Sequence, residues 1–296
     1  PKTPLKLGIL STTLNIVMSA ALITGAGPFP EMGTVGAALG TVFATSVSVL
    51  IAIGLILSRR TLILPPVKFT LLPDLSIMRV IARIGIPTGV QGVLLNLGGV
   101  FLLRFIGTVE HSAAAQAAYI ICYSQLFNVI SWVSFGLRSA SGTVMGQNIG
   151  AGDPQRGKRG VAVAALFGAI WAVMIGLLFW AVPGQLLGLF DAVEEPVFSY
   201  GKTLLHYLSF SGVFLAVALA LTGGMQGAGE TKIPMYIAFL TQIVVLLGVC
   251  LFWQAVDRLT PERIWLAILI SHASRLVLTW LVFRTEKWAH TIVEID

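Results

Sequence analysis

The chain has 296 residues, 56% of them hydrophobic and only 11% charged, with a mean hydropathy of +0.89 and a formal net charge of +6. A soluble domain carries about 25% charged residues, so this composition excludes a water-facing globular fold. The basic residues cluster in alternate loops, which is a membrane topology pattern rather than a nucleic-acid footprint.

Charge-poor runs of roughly 20 residues recur along the chain, the length that crosses a hydrocarbon core. A β-barrel would instead alternate polar and apolar over strands of about 10 residues. The sequence therefore predicts an all-α, polytopic helical membrane bundle. Eight transmembrane spans are expected, over Leu7–Gly25, Val35–Leu57, Ile84–Ile106, Ala113–Leu137, Val161–Val182, Leu204–Thr222, Tyr236–Val256 and Ile264–Phe283. Between the second and third lies SRRTLILPPVKFTLLPDLS, with three prolines and too polar to span. It divides the chain into residues 1–58, a cytoplasmic linker at 59–76, and residues 77–296. Ile77–Ile84, with Arg79 and Arg83, is expected to start as an amphipathic stretch at the interface.

Orientation follows from counting Lys and Arg loop by loop. One side receives fourteen, among them Arg59, Arg60, Arg156, Lys158, Arg159 and Lys232, while the other receives Arg104, Lys202, Arg258 and Arg263. The richer side is cytoplasmic, which places both termini of the chain there and the protein in the plasma (inner) membrane. Cys122 and Cys250 lie inside apolar spans and suggest neither a disulfide framework nor a metal site. The Trp residues at 171, 180, 253, 265 and 288 fall near span ends and are expected to anchor at the interface.

A weak internal repeat is present. KTPLK near the start parallels TKIPMY, with Pro4 and Pro234 separated by 230 positions; TVGAALGTVFA parallels ERIWLAILISH, with Gly36 and Trp265 separated by 229. Repeats are common in transporters. On that logic the first two spans are counterparts of the last two, and roughly 150 residues with about four spans would precede Pro1 in the whole protein; the alternative is a chance similarity between proline-started apolar helices.

The stretch GTVMGQNIGAGDPQRGKRG, residues 142–160, looks loop-like but carries packing signals. Gly142, Gly146 and Gly150 are spaced by four, so they share a helix face, and small residues at that spacing let helix backbones approach in lipid. Asp153-Pro154 reads as an N-cap followed by proline at the first helical position. A phosphate-binding loop is excluded, since Arg159 stands where Ser or Thr is needed and Pro154 removes a backbone donor.

GQNIGAGDPQRG, together with TGGMQGAGETKIP at residues 222–234, resembles the multidrug and toxic compound extrusion (MATE) family. TVGAALGT at residues 34–41 and FRTEKW at residues 283–288 fit the same resemblance. Its motif residues here are Gly146, Gln147, Asn148, Gly150, Gly152, Gly224, Gln226, Gly227, Gly229 and Pro234, in hinge and packing roles. The resemblance implies a twelve-helix, two-lobe transporter, of which this chain would supply the last two helices of the first lobe, the linker and the whole second lobe. The preceding helices of the same protein would be its partners. It further implies H⁺- or Na⁺-coupled antiport of organic cations or amphiphilic drugs by alternating access, with no cofactor. Some members of the family carry coupling carboxylates on the first and fourth helices of the second lobe. The corresponding spans here, Ile84–Ile106 and Leu204–Thr222, hold no Asp or Glu. The coupling residue is therefore expected on a helix outside this chain.

Polar groups inside the spans are the remaining site candidates: Gln91 and Asn96 on the third span, Gln125 and Asn128 on the fourth, and Gln242 on the seventh. Gln125 and Asn128 are three apart and so expected on one helix face. Each amide either bonds between helices or lines the substrate cavity. His206, four residues after Lys202, is a candidate proton relay. Arg275, three residues after His272, is deep for a charge and is expected to snorkel or to pair inside the bundle; contact with an anionic group is the alternative. A lipid-linked-sugar flippase is the alternative reading; such a cavity would carry several cations, whereas these spans hold mainly amides, with Arg275 and Arg138 the only deep or semi-deep positive charges. An enzyme is not expected: no HExxH or Gly-x-Ser-x-Gly motif occurs, and no metal site is predicted.

Overall fold

The computed structural model describes residues 2–58, 74–286 and 288. The expected linker at 59–76 lies outside the described residues as far as position 73. Among the described residues every regular element is helical, and eight helices are long and apolar enough to cross a membrane. The chain separates into two compact units, Pro1–Pro73 and Asp74–Asp296.

The first unit is a helical hairpin of α1 (Lys2–Thr24) and α2 (Gly33–Leu57). Its two helices approach closely because Gly36 and Gly40 face the other strand of the hairpin. A Cβ on Gly36 would overlap the Leu22 backbone, and one on Gly40 would overlap Ser19. A polar bond crosses the same seam, Asn15 Nδ2 donating to Thr41 Oγ1 at 2.9 Å.

The second unit contains α3 (Leu75–Ile106), α4 (Ser112–Gly150), α5 (Pro154–Ala181), the short α6 (Pro183–Gly188), α7 (Val197–Gly227), α8 (Lys232–Ala255) and α9 (Pro261–Arg284). Helix α7 is central, packed by α4, α5 and α9, while α3 lies along α8. The sequence explains that position: α7 interleaves Gly, Ala and Ser with Leu and has no charge after Lys202, so it is apolar on every side. By contrast, α5 leaves Val163, Leu166, Phe167, Ile170, Met174 and Leu177 exposed at helical spacing, a stripe suited to lipid.

Three of the spans, α3, α5 and α8, begin with a carboxylate cap. The Asp74 carboxylate accepts from the amides of Ser76 and Ile77 at 2.9 and 3.3 Å and starts α3. Asp153 accepts from Arg156 N at 2.9 Å and Pro154 takes the first helical position of α5. Glu230 does the same for α8 through Lys232 N and Ile233 N. The interfacial stretch expected at Ile77–Ile84 is not a separate segment. With the Asp74 cap ahead of it and no breaker before Pro87, it forms the first turns of a continuous 32-residue α3, which at about 1.5 Å per residue is longer than the hydrocarbon core is thick.

Three further expectations change. The fourth span, expected to end at Leu137, continues as α4 to Gly150, so Gly142, Gly146 and Gly150 lie in a helix as their spacing implies; the turn follows, with Gly152 at φ +78°. Trp265 and Trp288 are not interfacial anchors. Both are fully buried, Trp265 against Tyr119 and Trp288 against Phe283. Arg275 does not snorkel: it is 2% exposed, and among the described residues it has no carboxylate within ion-pair distance.

Candidate functional site

The crossing of α4 and α7 shapes the first site. A Cβ on Gly146 would sit 3.0 Å from Gly227 O, and one on Gly142 would sit 3.2 Å from Gly223 O. A Cβ on Gly223 would overlap the Arg138 carbonyl and one on Gly227 the Gly142 backbone. The glycines thus bring two backbones into contact and leave a groove of about 350 Å³ beside the crossing, walled by Phe135, Arg138, Ser139, Thr143 and Gln226. That volume falls in the range of small-molecule sites.

Arg138 is fixed at the wall of this groove by two glutamines. Its Nε donates to Gln226 Oε1 at 3.0 Å and its Nη2 to Gln91 Oε1 at 3.1 Å. Gln226 Nε2 donates to the same Gln91 oxygen at 3.0 Å, and Gln91 Nε2 donates to Pro234 O at 3.2 Å. The network ties α3, α4, α7 and the start of α8 together. It neutralises none of the charge, because amide oxygens are dipoles. Nη1 has no partner among the described residues.

A second polar region lies among α3, α4, α8 and α9. An enclosed cavity of about 60 Å³ is lined by Tyr119, Tyr123, Gln242, Ser271 and His272 with apolar neighbours. It has room for water but not for a drug-sized ligand. Two helices loosen where they face it. Over Ile120–Leu126 the backbone bonds reach five residues back, as in Phe127 N to Cys122 O at 2.9 Å, and α8 widens in the same way over Leu240–Val245. Such π-turns recur at functional sites. Rings stack along α4: Trp265 to Tyr119 at 6.2 Å, Tyr119 to Tyr123 at 5.0 Å, Tyr123 to Phe127 at 5.3 Å and Phe127 to His272 at 6.0 Å. Arg275, one turn after His272, is buried too, and its Nη2 has no hydrogen-bond partner among the described residues.

The sequence candidates separate accordingly. Gln91 is buried in the Arg138 network, and Gln242 is buried beside the cavity, its Nε2 donating to Ser271 Oγ at 3.5 Å. Asn96 is exposed and donates to Gly92 O of its own helix at 2.9 Å. Gln125 is exposed, and Asn128 donates to Ser124 O at 2.6 Å; the π-turn ending at Leu126 lies between them, so their spacing of three is not the α-helical one. His206 stacks on Trp180 with ring centroids 4.1 Å apart. Of the motif residues, Gly146 and Gly227 form the α4–α7 contact, and Gly224 packs against Val161 and Phe283. Gly150 has open space around it; Gly152 and Gly229 take positive φ in turns. Gln147 is exposed and Asn148 Nδ2 donates to Val144 O at 2.7 Å. Sequence reasoning missed Arg138 as a site residue and placed Gln226 in a packing motif. The available signal was the lack of any span carboxylate to pair with Arg138.

A model of the MatE family matches residues 87–251, more than half of the chain. The chain belongs to the MatE family. Among curated MatE-like relatives, the probable multidrug resistance protein NorM of Thermotoga maritima is 24% identical over 287 residues, covering 97% of this chain and 61% of its own length. The FAD transporter of Shewanella oneidensis is 27% identical over 228 residues, covering 75% of this chain and 46% of its own. Among solved structures, the eukaryotic MATE transporter AtDTX14 superposes with a TM-score of 0.83 at 20% identity, over 96% of this chain and 62% of that one. At that identity the likeness is one of fold. The chain spans about 60% of the length of the first of these relatives. As a MatE-family chain it is a multi-pass membrane protein of a transporter family and not an enzyme.

Proposed function

We propose that the chain serves a secondary active exporter of amphiphilic small molecules, organic cations or other drugs among them, working by alternating access in the plasma membrane. Residues 74–286 are taken as one lobe and the N-terminal hairpin as part of the other, with further helices of the same protein completing the cavity. The observation that carries the reading is the MatE match lying across a bundle that holds two internal polar clusters, the Arg138 network and the cavity beside His272. The relatives' names support multidrug export, and one names a dinucleotide instead, so names alone leave the solute's charge open. The flippase alternative draws no support from them.

The driving ion is H⁺ or Na⁺. No described span contains Asp or Glu within its apolar length, and a carboxylate is the natural group to bind either ion reversibly inside a membrane. The coupling carboxylate is therefore placed on a helix outside residues 1–296. The test is dye efflux from vesicles carrying the whole reading frame, under an imposed H⁺ gradient and separately under a Na⁺ gradient. One gradient is expected to drive efflux, and residues 1–296 alone are expected to drive none. Efflux that ignores both gradients, or efflux by residues 1–296 alone, overturns the reading.

A further inference from the structure

We propose that the groove beside the α4–α7 crossing is an anion site, in which the Arg138 guanidinium receives a carboxylate or phosphate group of an amphiphile. The inference deepens the export reading by naming the charge of the recognised group, and it runs against the organic-cation expectation. Four observations carry it. First, Arg138 is charged, partly buried and without a carboxylate partner among the described residues. Second, it is held in place: Gln226 and Gln91 accept from Nε and Nη2, so the fork is ordered before any ligand arrives and Nη1 is left to donate. Third, the groove has room for a ligand head and a ring, with the Ser139 hydroxyl one residue on and the Phe135 ring one turn back. Fourth, the same bundle buries a second guanidinium, Arg275, 2% exposed with Nη2 unpartnered, and no carboxylate lies within the apolar length of any described span to offset either charge. Two like charges in a low-dielectric interior repel each other and favour a bound anion. A cationic head placed in this groove would meet the same field with the opposite sign.

The anion has two sources, an exported solute or the headgroup of an anionic lipid, since Arg138 lies level with Gly223, four residues before the end of α7. Binding is measured on the whole chain in phosphatidylcholine nanodiscs, by fluorescence anisotropy, with two xanthene dyes of similar ring and opposite charge, fluorescein and rhodamine 6G. The anionic dye is expected to bind at least about tenfold more tightly than the cationic one, the size of one hydrogen bond to a charged group. Arg138→Gln should remove that preference and leave rhodamine binding unchanged or tighter. Arg104→Gln, which lowers the net charge equally at a site outside the groove, should keep it. Ser139→Ala, a smaller change that spares the network, should weaken fluorescein by about threefold, so the test stands even if Arg138→Gln fails to fold. Replacing phosphatidylcholine by phosphatidylglycerol separates the sources. Competition that depends on Arg138 assigns the site to lipid phosphate; undiminished dye binding assigns it to a solute. Equal affinity for the two dyes, a preference for rhodamine, or fluorescein binding untouched by both groove variants overturns the proposal. No gradient is involved, so a chain that prefers the anion yet belongs to a protein that does not export defeats only the transport reading.

Discussion

A guanidinium at the centre of a span costs on the order of 2.5–3.5 kcal/mol on insertion scales, and Arg275 carries that cost without a carboxylate to offset it among the described residues. Its worth must lie in what the charge does. Arg275→Met keeps the length of the side chain and removes the charge. It is expected to raise the stability of the detergent-solubilised protein by about 2 kcal/mol, read from chemical unfolding, while weakening binding of the anionic dye. A loss of stability would mean that the charge has a structural partner. The glycines of the α4–α7 seam give a second test at this scale. Gly223→Ala places a methyl into the Arg138 carbonyl and should destabilise by about 1–3 kcal/mol, the usual cost of overpacking. Gly150→Ala, with open space around it, should be neutral or slightly stabilising.

The starts of α3, α5 and α8 are capped by single carboxylates, and one of them titrates in a testable way. Hydrogen bonds from the Ser76 hydroxyl and from the Ser76 and Ile77 amides hold the Asp74 carboxyl below its ordinary value of 3.8. A lowered folded value means that the cap stabilises the first turn of α3 above the ordinary carboxylate range and is lost as pH falls through the lowered value. Amide exchange at Ser76 and Ile77, corrected for intrinsic rate, should therefore stay flat down to about pH 4 and rise below it; in Asp74→Asn the rise should vanish. Such capping signals are why the cores of the helices were readable from sequence, as were the charge-poor runs. The ends were less so. The fourth span was expected to end at Leu137, yet α4 runs on to Gly150, because contact of Gly142 and Gly146 with Gly223 and Gly227 outweighs their low helix propensity. The π-turns at Ile120–Leu126 and Leu240–Val245 leave no periodicity signal over so few residues. The Arg138 site was out of reach for a different reason. Its partners Gln91 and Gln226 lie 47 and 88 positions away, and a buried amide looks the same in sequence whether it bonds a helix neighbour or a cation. Trp265 was misplaced likewise, since nearness to a span end does not say which way a ring faces.

Topology is a property of the whole chain, and the fold supplies a check on it. The start of α5 and the segment after α9 meet in an ion pair between Lys158 and Glu286, so the Asp153 turn and the end of α9 lie on one side of the membrane. Arg156, Lys158, Arg159 and Arg284 all belong to that side, whereas Glu110, Glu194 and Glu195 lie toward the opposite ends of the bundle's helices. On the positive-inside rule Gln155 is expected in the cytoplasm and Glu110 and Glu194 outside. Cys122 and Cys250 are both fully buried, so a membrane-impermeant maleimide should leave the parent chain unlabelled in intact cells. On that silent background Glu110→Cys and Glu194→Cys are expected to label from outside at once, and Gln155→Cys only after permeabilisation. Neutralising Arg156, Lys158 and Arg159 together should send a fraction of Gln155→Cys chains to the accessible side, because orientation depends on that basic cluster rather than on any acidic residue. Immediate labelling of Gln155→Cys in the unaltered background would invert the whole arrangement, and with it the direction from which the Arg138 groove is loaded.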